Sequence, residues 1–250
     1  MYWPAFEFRY RLDSRKLLPH ITAVEAYKQA ATTRVLPPQW REQPEGPATE
    51  RSDTKNPAKT QKWVNQKFLP GSAPLSLDDI LTMHRMVAEE TKVEYKGSGA
   101  LRNDPVQVGK ADVGGIHVGA PAAQLPLLME QYVEFVNSKK SFSLHPVVHA
   151  LLAHFFFVTI HPFVDGNGSV SRLVATAVLL QHGYNVHGGF YALSDYFYQN
   201  GLNYYTLLHR CWNQGVPFDL TEFVALGMEG LVMEFRSINS FIKMKLRRIT

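Results

Sequence analysis

Residues 146–181 read PVVHALLAHFFFVTI, then HPFVDGNGSVSR, then LVATAVLLQ. The outer blocks are apolar almost throughout and predict two helices, Pro146–Ile160 and Ser169–Gln181. A helix that is hydrophobic on every side is buried. The middle block is polar and rich in turn residues, so it reads as a tight loop that feeds the N-terminus of the second helix.

Around this centre the chain reads as mainly helical. Leu17, Leu18, Ile21, Val24, Tyr27 and Ala30 recur at helical spacing until Pro37-Pro38 stops them. Residues 41–60 are polar and carry Pro44, Pro47 and Pro57, which marks a linker. Gln61–Phe68, Ser76–Glu90, Leu125–Asn137, Tyr196–Trp212 and Leu220–Lys245 also predict helices. Ser76-Leu77-Asp78-Asp79 is a capping signal for the second of these. Gly227 and Gly230 are the points at which the last would break. Lys96–Gly119 differs: it holds glycines and two β-type runs, Val106–Val108 and Ile116–Val118. That pattern predicts a hairpin with a loose tip around Lys110–Gly115. No β-α-β alternation is present, so a parallel sheet is not expected.

The domain reading is an N-terminal extension over 1–75, a core over 76–231 and a C-terminal helix end over 232–250. The 250 residues are 45% hydrophobic and 19% charged, which excludes wholesale disorder, collagen and coiled-coil rods. Cys211 is the one cysteine, so there is no disulfide framework and no CxxC metal knuckle. A net charge of +4 suits nucleotide or nucleic acid and singles out neither. Met1–Tyr10 carries Glu7 and Arg9 and is no signal segment. The longest apolar runs, Phe155–Ile160 and Leu173–Leu180, fall short of the roughly 20 residues of a membrane helix. A cytoplasmic protein is expected, with a secreted effector acting in a host cytoplasm as the alternative.

The chemistry concentrates in His161–Arg172. Gly166 and Gly168 permit unusual backbone angles and close approach of a ligand. The N–H groups that open the second helix have no helical partner and carry the positive end of its dipole, which suits phosphate. Arg172 lies about one turn in, where it can face a terminal phosphate. Asp165 is a hard oxygen ligand beside that site, suited to Mg²⁺. His161 is the nearby group able to accept a proton near pH 7. Together they describe a phosphate-transfer site.

Plainer readings compete. Asp165–Ser169 resembles the start of a calcium loop, but the sixth and twelfth positions hold Val170 and Thr176 instead of Gly and Glu. Asn167-Gly168-Ser169 matches the glycosylation sequon, which occurs by chance. The loop could also be a turn and nothing more. His145, His149 and His154 share a helix, but without an acidic HExxH partner they read as satisfied core or interface histidines. His182 and His187 read as surface residues, and Lys243–Arg248 as a solvated basic helix end.

His161–Arg172 resembles the signature of Fic-domain proteins, H-P-F-x-[D/E]-G-N-G-R-x-x-R. The resemblance extends through roughly Ser76–Leu231: Leu77–Met86 is similar to the family's opening helix, and Gly99–Gly109 (GALRNDPVQVG) to its strand entry. Ala153–Pro162 is similar to its lead-in helix, and Asn203-Tyr204-Tyr205 with Pro217–Phe223 to its closing helices. The resemblance implies a Fic-fold helical bundle with one small β-hairpin flap, and AMP transfer from ATP, with Mg²⁺, to a hydroxyl of a target protein. It assigns His161 as general base and Asp165 as metal ligand. Gly166, Asn167 and Gly168 would bind the α- and β-phosphates, Arg172 would hold the γ-phosphate, and Phe163 would anchor the loop. Tyr204, Tyr205 and Asn213 are candidates for the adenine pocket. The target would dock on the Val106–Val118 flap as an added strand. A homodimer stays open, and nucleic acid enters only through a further downstream domain.

Two departures matter. The family's first motif arginine is Ser169 here; it can cap a helix or give one hydrogen bond to the nucleotide but supplies no cation. No [S/T]-x-x-x-E-[G/N] inhibitory helix is found in residues 1–76 or 220–250. Glu25 is the best degenerate candidate, and the expectation is an Arg172 that is not internally blocked. Alternatives to transfer are a weak or inactive nucleotide- or peptide-binding module, or transfer of another nucleotide-type group, phosphocholine or phosphate. Against phosphate, Doc-type motifs carry A-N-K where this chain has Gly166-Asn167-Gly168. A DNA-binding regulator is a further alternative.

Overall fold

The computed structural model describes residues 3, 6–32, 58–91, 97–109, 115–184, 196–197 and 200–247. Along the chain run β1 (Tyr10–Arg11), α1 (Ser14–Thr32), α2 (Ala58–Lys67), α3 (Leu77–Thr91), β2 (Gln107–Val108) and β3 (His117–Val118). They are followed by α4 (Leu125–Asn137), α5 (Lys139–Phe142), α6 (Pro146–Ile160), α7 (Asn167–Gln181), α8 (Gly201–Gln214), β4 (Phe218–Asp219) and α9 (Thr221–Arg247). The fold is mainly α, a helical bundle with one small hairpin.

α6 is the axis. Every residue from Val147 to Ile160 is buried, as an all-round apolar sequence requires. Phe155, Phe156 and Phe157 are fully enclosed; burying each contributes about 1.5–3 kcal/mol. α7 packs along α6, and α4, α5 and α9 also pack against α6. The capping signal before α3 closes in both directions. The Asp79 N–H donates to Ser76 Oγ at 3.1 Å and the Ser76 N–H to Asp79 Oδ2 at 3.0 Å. That satisfies two groups an uncapped helix start leaves open.

The N-terminal residues form an aromatic strap. Phe6 and Phe8 each meet Phe156, and Phe8 also stacks on Phe135 at 5.1 Å. The strap ends in β1, which pairs in parallel with β4, Tyr10 opposite Phe218. This pairing was not expected from the sequence. It needs no crossover unit, because nearly the whole chain lies between its strands. Asp13 then caps α1, accepting from the Arg15 N–H at 3.0 Å, and its own N–H donates to Thr221 Oγ1 at 2.9 Å, tying α1 to the start of α9.

α9 runs unbroken through Gly227 and Gly230, against the expectation of a break. A Cβ at Gly227 would stand 2.3 Å from Leu151 Cδ2, and one at Gly230 would stand 2.7 Å from the Tyr196 ring. These glycines let α9 approach α6 and Tyr196 closely. The antiparallel hairpin β2–β3 lies where expected, Gln107 opposite Val118. Its tip at 110–114 lies outside the described residues, as do the linker at 41–57 and His187.

Candidate active site

His161 ends α6 in the left-handed conformation, φ 53° and ψ 62°, its N–H still bonded to Phe157 O at 2.9 Å. It is the one non-glycine residue with positive φ among the described residues. Pro162 disfavours a helical residue before it, so the chain must leave the helix here. Such a position costs on the order of 1–3 kcal/mol and persists because its surroundings fix it. The imidazole Nδ1–H donates to Val158 O at 3.3 Å, which leaves the Nε2 lone pair as the acceptor. Burial, with His117 and Arg102 adding to it against the Val158 carbonyl, lowers the pKa to about 4. At neutral pH the ring is an uncharged base.

The strained cap is held by Arg102, one guanidinium spread over three carbonyls. Its Nε donates to His161 O at 2.8 Å, Nη1 to Asp104 O at 2.7 Å and Nη2 to Ala120 O at 2.5 Å. Backbone bonds run beside it, Arg102 N–H to Pro162 O and Ala120 N–H to Ile160 O, both at 3.0 Å. This clamp joins the base to both ends of the hairpin. Gly119 makes room for it: a Cβ there would meet Val106 Cγ1 at 2.8 Å, Arg102 Nη2 at 2.9 Å and His161 Cβ at 3.1 Å.

The second half of the loop closes on Phe163, fully buried as the sequence suggested. Asn167 clasps that residue from both sides, Oδ1 accepting from the Phe163 N–H and Nδ2 donating to the Phe163 carbonyl, each at 2.9 Å. Its side chain is thus spent inside the loop, and its backbone N–H is what it offers a phosphate. His84 stacks on the Phe163 ring at 3.8 Å and 4°. Its Nδ1 accepts from the Gly99 N–H at 3.0 Å and its Nε2–H donates to Asp165 O at 3.2 Å. Burial lowers its pKa, opposed by Asp165, and both bonds require the neutral ring.

Gly166 takes φ 73° and ends the loop, and no side chain caps α7. The first N–H groups of α7 therefore remain for an anion. The Asp165 carboxylate is exposed beside them, with Oδ1 accepting from the Gly166 N–H at 2.7 Å. Arg172 lies one turn on, its Nη2 donating to Ser169 Oγ at 3.3 Å. Behind it His154 Nε2 accepts from the Tyr204 hydroxyl at 2.9 Å. Burial and then Arg172 lower the His154 pKa to about 3, so it stays neutral beside the guanidinium.

His161, Asp165, Gly166, Asn167, Gly168, Ser169 and Arg172 are thus gathered at one loop and helix start. Tyr205 meets Tyr204 at 5.2 Å, and the Tyr204 hydroxyl bonds His154 behind Arg172; Asn213 lies apart from the loop. Tyr205 lies at the surface of α8, and Asn213 lines a cleft of about 370 Å³ with Trp3, His117, His209 and Trp212. His84, Arg102, His117 and Gly119 were not singled out from sequence. Arg102 lay within GALRNDPVQVG, and its spacing before Val106–Val108 was the available signal.

Glu25 does not reach Arg172. It accepts from the Tyr184 hydroxyl and meets His145 Nε2 at 3.1 Å and Lys28 at 3.5 Å. His145 caps the far end of α6, about 24 Å from His161 at 1.5 Å per residue. His149 Nε2–H donates to Val136 O at 2.9 Å and its Nδ1 meets His182 Nε2 at 3.0 Å. His182 is therefore half-buried and engaged, not a surface residue. Among the described residues no three His, Cys, Asp or Glu side chains converge as a metal site. No helix among them is long and apolar enough to cross a membrane.

A model of the Fic/DOC family matches residues 74–179. Over 123 residues, 49% of this chain, the sequence is 39% identical to a protein adenylyltransferase Fic of Drosophila grimshawi. That match covers 24% of the relative, so the chain spans about a quarter of the length of the curated relatives it matches. A crystal structure of a Fic family protein from Desulfovibrio desulfuricans is similar with a TM-score of 0.65 at 20% identity, over 94% of this chain and 77% of that one. Fic-1 from C. elegans is similar with a TM-score of 0.63 at 18% identity, over 90% and 72%. At these identities the structural likeness speaks for the fold, and the family match over residues 74–179 contains the loop, the hairpin and Arg102. Over residues 74–179 the chain is thus similar to the Fic/DOC family, and its fold is the one that the solved Fic structures share.

Proposed function

We propose that the protein is an AMP-transferase that moves AMP from ATP to a hydroxyl side chain of a target protein. The observation that carries this is His161. It is neutral, held at a strained helix end with Nε2 open, next to a helix start whose N–H groups await an anion. His161 Nε2 takes the proton of the incoming hydroxyl. The oxygen attacks the α-phosphorus, the bond from that phosphorus to the bridging oxygen breaks, and pyrophosphate leaves. The N–H groups of Asn167, Gly168 and Ser169 and the Arg172 guanidinium bind the phosphates and stabilise the charge that develops on them.

Asp165 fits Mg²⁺. It is one exposed carboxylate with one oxygen steadied by the Gly166 N–H, and Mg²⁺ is ordinarily held by one or two carboxylates together with substrate phosphates. Asp165 would hold the ion there, and a bound Mg²⁺ would supply positive charge against the phosphates. His84 orients this corner through the Asp165 carbonyl.

Ser169 favours a second reading, transfer that is slow or uses another donor. Its hydroxyl accepts from Arg172 where the family signature places a second cation. A missing charge-assisted hydrogen bond costs about 1.5–3 kcal/mol. Intact-mass spectrometry after incubation with ATP and Mg²⁺, beside His161→Ala, tests the proposal. An AMP-sized gain in the wild type alone is expected. A gain that survives His161→Ala would remove the assigned base.

A further inference from the structure

The hairpin that faces His161 has two residues in each strand. A hairpin this small has little stability of its own, so its position must be set by what it packs against. The Arg102 clamp and Gly119 hold it on the His161 side. The opposite side carries a second anchor.

His117 points inward from β3, between the exposed Ile116 and Val118. Its ring stacks on Trp212 of α8 at 3.9 Å and 19°, and Trp3 lies against it at 6.2 Å. Its Nε2–H donates to Thr159 O at 2.8 Å. Trp212 Nε1–H donates to Thr159 Oγ1, also at 2.8 Å, and that hydroxyl donates to Phe155 O at 2.7 Å. Both rings thus converge on Thr159, two residues before His161 and in the last turn of α6. His209, one turn earlier on α8, stands between the hairpin arms: a Cβ at Gly109 would meet its Nε2 at 3.1 Å, and one at Gly115 its Nδ1 at 3.2 Å.

Trp3 comes from the opposite end of the sequence. It is buried and meets Phe6 at 5.0 Å, and Phe6 joins the strap on Phe156 and Phe218. The N-terminal segment therefore contributes a wall to the hairpin's seat, though it lies outside the matched family domain.

We propose that His117, stacked on Trp212 with Trp3 at its side and bonded to Thr159, is the positioning residue that fixes the hairpin opposite His161. The N-terminal aromatic strap, through Trp3, is then part of the apparatus that sets the acceptor against the base. This role in transfer rests on the AMP-transferase reading, but the anchor itself can be read without it. The phosphate loop is held by its own bonds through Asn167 and His84, so loss of His117 or Trp3 loosens the hairpin while that loop stays as it is.

Hydrogen exchange on the full chain, wild type against Trp3→Ala, Trp3→Phe and His117→Ala, tests this. An aromatic pair supports an expected effect of roughly three- to tenfold. The amides of residues 115–120 should exchange faster by that factor in Trp3→Ala and His117→Ala, while those of α6 keep their rates. Trp3→Phe should restore most of the protection, and ATP affinity by calorimetry should stay constant. Unchanged exchange at 115–120, or an equal rise across α6, would overturn the proposal. If His117→Ala fails to fold, the two Trp3 variants decide it. A wild type with this exchange pattern that transfers no AMP would support the anchor and overturn the transferase reading.

Discussion

Replacing Gly119 by alanine tests the coupling between base and hairpin with one methyl group. Gly119 has no positive φ, so alanine brings no backbone strain and the whole effect is space. The new Cβ meets Val106 Cγ1 at 2.8 Å, Arg102 Nη2 at 2.9 Å and His161 Cβ at 3.1 Å. Comfortable carbon contacts lie near 3.5–4.0 Å, so relief needs a shift of roughly 0.7 Å or more. The Arg102 guanidinium is pinned by three carbonyls and His161 by its helix-end geometry, so the hairpin is the part that gives. Overpacking of this kind costs about 1–3 kcal/mol, and a displacement near 1 Å at a reacting centre costs on the order of a hundredfold in rate. We expect Gly119→Ala to lower AMP transfer by about ten- to a hundredfold, with ATP affinity by calorimetry within about twofold of wild type. Gly201→Ala is the control, since nothing lies within 4 Å of its added Cβ and its φ is ordinary. It should leave transfer unchanged. A Gly119→Ala chain with the wild-type rate would show that the close approach of hairpin and His161 does not matter to the chemistry.

Other outcomes follow from the same geometry. Because the His161 pKa is lowered to about 4, transfer should rise with pH through about that value and stay level from pH 6 to 8. An acid limb centred near the ordinary histidine value of about 6.5 would contradict this. His117, His149 and His161 are lowered to about 4 and His154 to about 3. Unfolded imidazoles bind protons first as pH falls, so the stability these buried neutral rings contribute is present above about pH 6.5 and is lost from there down to about pH 4, and for His154 to about pH 3. Thermal melting across that range should show the decline, and a flat profile would count against their burial. Ser169→Arg should raise transfer about tenfold or more by restoring a charged phosphate contact, and an unchanged rate in initial-velocity assays would count against that role. Glu25→Gly should lower the melting temperature, since the buried Tyr184 hydroxyl exchanges a carboxylate acceptor for the more distant His145 Nε2 at 3.4 Å, without stimulating transfer. Strong stimulation would mean that Glu25 restrains the site after all.

Much of this was legible in the sequence because it is local. The apolar blocks on either side of HPFVDGNGSVSR define α6 and α7, and the loop between them carries base, anion site and cation within twelve consecutive positions. Ser76 and Asp79 announce the start of α3 through a rule spanning three residues. What escaped depends on pairs far apart in the chain. His84 meets Asp165 across 81 positions, Arg102 meets His161 across 59, and β1 pairs with β4 from opposite ends. Nothing in a helix pattern marks His84 as a residue that will stack on Phe163. Gly227 and Gly230 misled for the same reason: locally glycine weakens a helix, but contact with Leu151 and Tyr196 makes its missing side chain an advantage. Glu25 drew attention by its neighbours in sequence and is explained by Tyr184, 159 positions away.

In the proposed reaction His161 and the start of α7 carry AMP, and not the terminal phosphate, from ATP to a protein hydroxyl. Parallel reactions with ATP labelled at the α- or the γ-phosphorus, for wild type and His161→Ala, test it directly. Protein-bound label is expected from the α-labelled nucleotide only, and is lost in His161→Ala. Label from the γ-position, or α-label that persists without His161, would contradict it.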